Sequence, residues 1–216
     1  GLNIPAREIS GDFYDFYLHD DEVYFTLSDV SGKGVNAGMV MAKAITLFKI
    51  FAKQKFRPNE ILLEMNNDLK ETNPPGTFIT SIVGSYNLKT DIIEIANAGH
   101  QPSIFRKGDN FTEFSSSSTP LAVIKQKNLE AYKLETFKLD GGRVYCFTDG
   151  FSECLDENKK EIGIDGVKDL IKNHKNVSLK KELENATEEI RLKSLKKDYK
   201  EKGIEENTDI LDDDLT

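Results

Sequence analysis

Cysteine is nearly absent, with only Cys146 and Cys154 in 216 residues. Two thiols cannot build a disulfide framework, and they suit a reducing, cytoplasmic setting. Histidine is almost as scarce: His19, His100 and His174 stand too far apart to read as a zinc site. No apolar run approaches the roughly 18 residues of a membrane span, because Lys49 interrupts even the stretch from Ala44 to Ala52. Direct membrane contact is therefore not expected. Positive charge is in the minority, 29 basic against 37 acidic residues, for a net charge of −8. Such a surface repels phosphate backbones, so nucleic acid is not expected as a partner. No signal peptide precedes the first elements, and a start at Gly1 reads as a fragment of something longer.

Several catalytic signatures are missing as well. A cysteine phosphatase needs Arg six residues after the nucleophile, but Ser152 and Lys160 occupy those positions after Cys146 and Cys154. A Walker loop needs Gly five residues before its Gly-Lys pair, and Leu27 stands there upstream of Gly32-Lys33. No G-x-S-x-G nucleophile elbow occurs.

What remains is an apolar content of 38% and a charged content of 31%, enough for a soluble domain with a real core. Residues 12–18 and 22–28 read as strands of a hairpin around His19-Asp20-Asp21. A Gly-rich connection leads to a helix over 36–54, and Pro58 opens a second helix with Ile61, Met65 and Leu69 on one face. Strands are expected at 77–87, 92–98, 103–106, 130–139 and 143–148, with a tight turn between Tyr86-Asn87 and Thr90-Asp91. The serine run 115–118 reads as a flexible loop. Helices return at 165–173 and 178–197, and the acidic end from 205 is weakly structured by pattern. Strands and helices in blocks, with hairpin signals, point to an α+β layered domain rather than a parallel sheet.

Four acidic positions lie at strand ends or tight turns: Asp12, Asp29, Asp149, and the cluster Asp212-Asp213-Asp214. Carboxylates on strand ends can converge at little ordering cost, and they suit hard cations such as Mg²⁺ and Mn²⁺. Each has a plain alternative. Asp149 precedes Gly150 in a common turn dipeptide, Asp29 could cap the following helix, and three terminal aspartates read as a solvated tail.

Taken in order, the stretches Pro5–Asp15, Asp29–Ala37, Asn97-Ala98-Gly99-His100, Pro120-Leu121, Thr148–Glu153 and Asp213–Thr216 resemble the PPM family of metal-dependent serine/threonine phosphatases, in its SpoIIE/RsbU-like branch. The resemblance implies a four-layer α-β-β-α sandwich of two mainly antiparallel sheets flanked by helices. It implies a single phosphatase domain over 1–216, the C-terminal part of a longer regulatory protein that a membrane sensor could tether. It makes Asp29 the carboxylate bridging two Mn²⁺ or Mg²⁺ ions, with the Val30 carbonyl as a further ligand. Asp12 would be a ligand or fix metal-bound water, and Asp149 and Asp213 would hold the second ion, Asp214 being the alternative to Asp213. Arg7, five residues before Asp12, would contact the substrate phosphate; otherwise it is an ordinary surface arginine. The expected reaction is hydrolysis of phosphoserine or phosphothreonine on a phosphorylated regulatory protein of the STAS type, by metal-activated water, and a homodimer is left open. The histidine that the eukaryotic pattern has two residues after the bridging aspartate is here Ser31, which leaves the leaving-group acid unassigned, and His100 is expected to pack or hydrogen-bond at a turn. The rival readings are an inactive phosphatase-fold binding module and a small-phosphoester hydrolase.

Overall fold

Strong alternation of apolar and polar side chains gives two long neighbouring strands, β1 (Asp12–His19) and β2 (Glu22–Val30), joined by a two-residue turn in which Asp20 adopts φ 52°. The computed structural model describes residues 1–4, 11–116, 118–156, 159–174 and 177–202. The chain divides into two compact units, residues 9–146 and residues 1–8 with 147–216.

In the first unit the hairpin extends into an antiparallel sheet ordered β1-β2-β3-β4-β7, adding β3 (Ile79–Asn87), β4 (Ile92–Ala98) and β7 (Leu134–Lys138). A second antiparallel sheet is ordered β6-β5-β8, from β5 (Ser103–Lys107), β6 (Asn110–Phe114) and β8 (Arg143–Tyr145). Two helices precede β3: α1 (Val35–Lys53) and α2 (Pro58–Thr72). Pro58 occupies the first turn of α2, where its missing N–H costs nothing, and the Glu60 carboxylate accepts the Arg57 backbone N–H.

Because side chains alternate across a strand, the large sheet has two distinct faces. Phe13, Tyr24, Val30, Val83, Ala96 and Ala98 share a core with α1 and α2. From α1 that core takes Ala37, Val40, Ala44, Phe48 and Ala52, spaced three or four apart as a helix face requires. Lys49 of α1 pairs with Asp15 of β1 at 2.8 Å on this side. The opposite face packs Ile82, Ile93 and Ile95 with Phe25, Tyr86 and Phe137, together with Val144 and Cys146 beside the second sheet. Phe137 stacks on Phe114 at 4.7 Å and leans on Phe105 at 4.9 Å, so one ring on β7 joins both sheets.

The second unit holds a one-turn helix α3 (Asp149–Ser152), α4 (Gly163–Asn173) and α5 (Leu179–Lys202). Its own small core is Cys154, Leu170 and Ile190 with Ile4, Phe151 and Ile162. His174 at the end of α4 meets Glu189 of α5 at 3.0 Å.

Four expectations change. Helix α1 is, by length and composition, apolar enough to cross a membrane despite Lys49, although here it lies on the sheet as a core helix. Strand β6 was not anticipated, since its five residues are mostly exposed and carry no clean alternation. The run 130–139 is not one strand: Leu129–Ala131 forms a 3₁₀ turn that buries Tyr132 before β7 begins. The run 143–148 is a strand only to Tyr145.

Candidate metal centre

Asp12 and Asp29 are direct cross-strand partners at the open end of the β1–β2 hairpin. Partners in an antiparallel pair project to the same face with Cβ atoms roughly 4.5–5.5 Å apart, so the two carboxylates are neighbours by register alone. Asp12 is only 3% exposed, whereas Asp29 is half-buried. Burying a carboxylate beside a second one is unfavourable unless something positive joins them.

Gly11 sets the space around this pair. A Cβ built there would lie 2.8 Å from the Val30 carbonyl oxygen, 3.1 Å from Asp29 Oδ1 and 3.6 Å from the Gly32 carbonyl oxygen. Three oxygens therefore close around one point that only glycine leaves clear. The Val30 N–H donates to the Gly11 carbonyl at 3.2 Å and locks this approach. Carboxylates and backbone carbonyls are the hard donors that Mg²⁺ and Mn²⁺ take, and Mg²⁺ is commonly held by one or two carboxylates with water completing its octahedron. The residues present fit such an ion. Among the described residues no group of three or more His, Cys, Asp or Glu side chains converges, so the centre has two carboxylates and backbone oxygens in its described part.

Asp149 belongs to the other compact unit, where it opens α3 behind Thr148 and its carbonyl accepts the Ser152 hydroxyl at 3.2 Å. Arg7, Asp213 and Asp214 lie outside the described residues. Ser31, at the place of the eukaryotic pattern's histidine, has a structural task. Its hydroxyl accepts the Phe78 N–H at 2.9 Å while its own N–H donates to the Phe78 carbonyl at 2.9 Å, pinning the loop after β2 to the start of β3.

The row continues beyond the carboxylates. Asp29 faces Thr80 on β3, and the next residue in line beyond β4 is Gly99. Thr80 Oγ1 lies 2.7 Å from Nδ1 of the buried His100. The turn holding His100 is tightly specified. Asn97 accepts the His100 N–H at 2.8 Å and donates to the carbonyls of His100 and Gln101. Gly99 sits at φ 70° with Pro120 where a side chain would stand, 2.7 Å from a built Cβ. Ser116 accepts the Gly99 N–H at 3.0 Å and donates to the Asn97 carbonyl at 2.9 Å. The serine run is thus no slack linker at this residue. Sequence reasoning singled out the Asn97–His100 segment but missed Thr80, since nothing in the spacing announces a partner twenty positions away.

Comparison with known proteins gives the family and the fold. The family model described as Stage II sporulation protein E (SpoIIE) matches residues 19–205. Phosphoserine phosphatase RsbU of Bacillus subtilis (strain 168) is 24% identical over 159 residues, which make up 73% of this chain and 47% of RsbU. The chain thus spans about half the length of that relative. Among solved structures, the SiaA-PP2C domain of Pseudomonas aeruginosa superposes with a TM-score of 0.79 at 19% identity, over 99% of this chain and 80% of that one. RsbX in complex with magnesium superposes with a TM-score of 0.67 at 17% identity, over 99% of this chain and 89% of that one. At such identities the likeness establishes the fold, an α+β arrangement of two antiparallel sheets with helices.

Proposed function

The chain belongs to the SpoIIE family, and on that premise we propose that it is a metal-dependent protein serine/threonine phosphatase. The observation that carries the reading is the facing pair Asp12 and Asp29, with the Val30 carbonyl beside them and a glycine keeping the space clear. Two buried or half-buried acids placed opposite each other repel, and a cation between them would offset that repulsion, which supports the reading. Asp12, Asp29 and the Val30 carbonyl would hold one or both of two Mn²⁺ or Mg²⁺ ions. Asp149 and Asp213, with Asp214 as alternative, are proposed for the second ion, and Arg7 for the substrate phosphate. When bound, such ions stabilise charge on the phosphoryl oxygens and make water acidic near neutral pH. The protein's own part is to fix the carboxylates on strands, whose rigidity keeps the ion positions within the narrow tolerance that in-line attack demands.

The substrate proposed is a phosphoserine or phosphothreonine on a regulatory protein, consistent with the name of RsbU, and a STAS-type partner follows from the family resemblance. Magnesium in the RsbX structure supports the choice of ion. A cytoplasmic location is proposed to match the two free thiols.

The test is hydrolysis of an aryl phosphate and of a phosphoserine protein in Mn²⁺, Mg²⁺ or chelator, for the parent and Asp29→Asn. Turnover is expected only with metal and to fall roughly 100-fold or more in Asp29→Asn, since a metal ion contributes several kcal/mol to charge stabilisation. Turnover indifferent to chelator would overturn the mechanism. A metal-bound protein inert to every phosphoester would indicate a binding module, and preference for small esters would redirect the substrate.

A further inference from the structure

We infer that His100 and Thr80 form a positioning pair for the Asp29 carboxylate, an inference that rests on the metal-dependent reading above. It starts from register. Asp12, Asp29 and Thr80 are successive cross-strand partners over β1, β2 and β3, so all three side chains project to one face. The third member of the row is a hydroxyl placed beside the carboxylate that would be shared between ions.

A lone threonine at a strand end would need no partner from another element. Here its Oγ1 is 2.7 Å from His100 Nδ1, and the histidine ring is only 7% exposed. The turn presenting that ring is fixed by both ends of the Asn97 amide, by the Ser116 hydroxyl and by the close seat of Gly99 on Pro120. Those contacts fix the backbone that carries the imidazole.

A threonine hydroxyl offers one proton and two lone pairs. When His100 Nδ1–H donates to Thr80 Oγ1, the threonine proton is released toward the Asp29 side of the row. The hydroxyl then presents a donor of fixed direction to the carboxylate or to water next to it. Partners of this sort orient metal-binding carboxylates, and their loss typically costs 10–100-fold in metal affinity or activity. His100 acts only through Thr80, so it is a positioning residue and not the missing proton donor.

The experiment compares the parent with T80V, T80S, H100L, H100N and T80V/H100L. It reads kcat and KM on an aryl phosphate, Mn²⁺ affinity by titration calorimetry, and the thermal midpoint. T80V and H100L are each expected to lower kcat and Mn²⁺ affinity by about 10–100-fold, with KM moving less than about threefold. The double variant should be no worse than T80V, because both act through one contact. T80S keeps the hydroxyl, and H100N puts an amide where Nδ1 stands, so both should return to within about fivefold of the parent. A folded T80V with parental kcat and Mn²⁺ affinity overturns the pair while leaving the phosphatase reading intact. Multiplicative losses in the double variant overturn it too, as does H100N failing as badly as H100L at an unchanged thermal midpoint. A parent that neither binds Mn²⁺ nor turns over removes the metal reading and this inference together.

Discussion

A carboxylate pair and a phenol show how differently buried or half-buried polar groups can be used. Asp12 and Asp29 face each other without an intervening strand, and like charges placed directly opposite destabilise a sheet. Asp29→Asn should therefore raise the stability of the metal-free protein by roughly 0.5–1 kcal/mol in urea unfolding. The same variant should lose the stabilisation by saturating Mn²⁺, which mass action sets at about 2.7 kcal/mol for 100 times Kd. Tyr132 is the contrast. It is fully buried in the helix-facing core, its hydroxyl meets no hydrogen-bond partner among the described residues, and burial pushes its phenol well above the ordinary tyrosine range. Removing an unsatisfied hydroxyl is neutral or favourable. Tyr132→Phe should leave activity unchanged and raise stability by up to about 1 kcal/mol, measured by the same unfolding curves.

At the scale of elements, the strands that combine alternation with a buried face were readable. The hairpin of β1 and β2, the stripe of Ile61, Met65 and Leu69 on α2, and the turn before β4 fall where pattern places them. Strand β6 was not, because its five residues are mostly exposed and carry no clean alternation to read. Asp149 opens a four-residue helix because Thr148 ends the extended run before it. The carboxylate pair was visible only as two strand ends; that they are partners depends on register, which the two-residue turn sets. Thr80 and His100 were illegible as a pair, since one closes a turn and the other opens a strand. Between elements, Phe137 is the aromatic link of the two sheets through Phe105 and Phe114. Phe137→Ala should cost about 3 kcal/mol, combining lost burial with two lost ring contacts. Denaturant unfolding of that variant checks the figure.

For the molecule as a whole, the groups with shifted protonation point to alkaline sensitivity. The Cys146 thiol is pushed up to about 11 by burial, with the Ser103 hydroxyl partly opposing the shift. Burial likewise raises Tyr24 and Tyr132, with Glu22 adding to the effect at Tyr24. A raised folded pKa means the folded state holds its proton longer than the unfolded chain. Stability from these groups is complete below their unfolded values near 9 and 10, and it is lost as pH rises toward the folded ones. Thermal midpoints should be flat to about pH 8.5 and fall steadily above it. Cys146→Ala should flatten the part of that fall lying between pH 9 and about 11.

The two-residue turn between His19 and Glu22 reaches further than the hairpin it closes. Adding or deleting a single residue there would slide β1 by one position against β2 and turn every side chain of β1 over. Phe13 would then be thrust among the acids, and Asp12 would be driven under the helices, away from the carboxylate it now faces. On the proposed metal-dependent reading, ion capture would follow from correct zippering of the sheet, and a mispaired chain would lose the facing carboxylates.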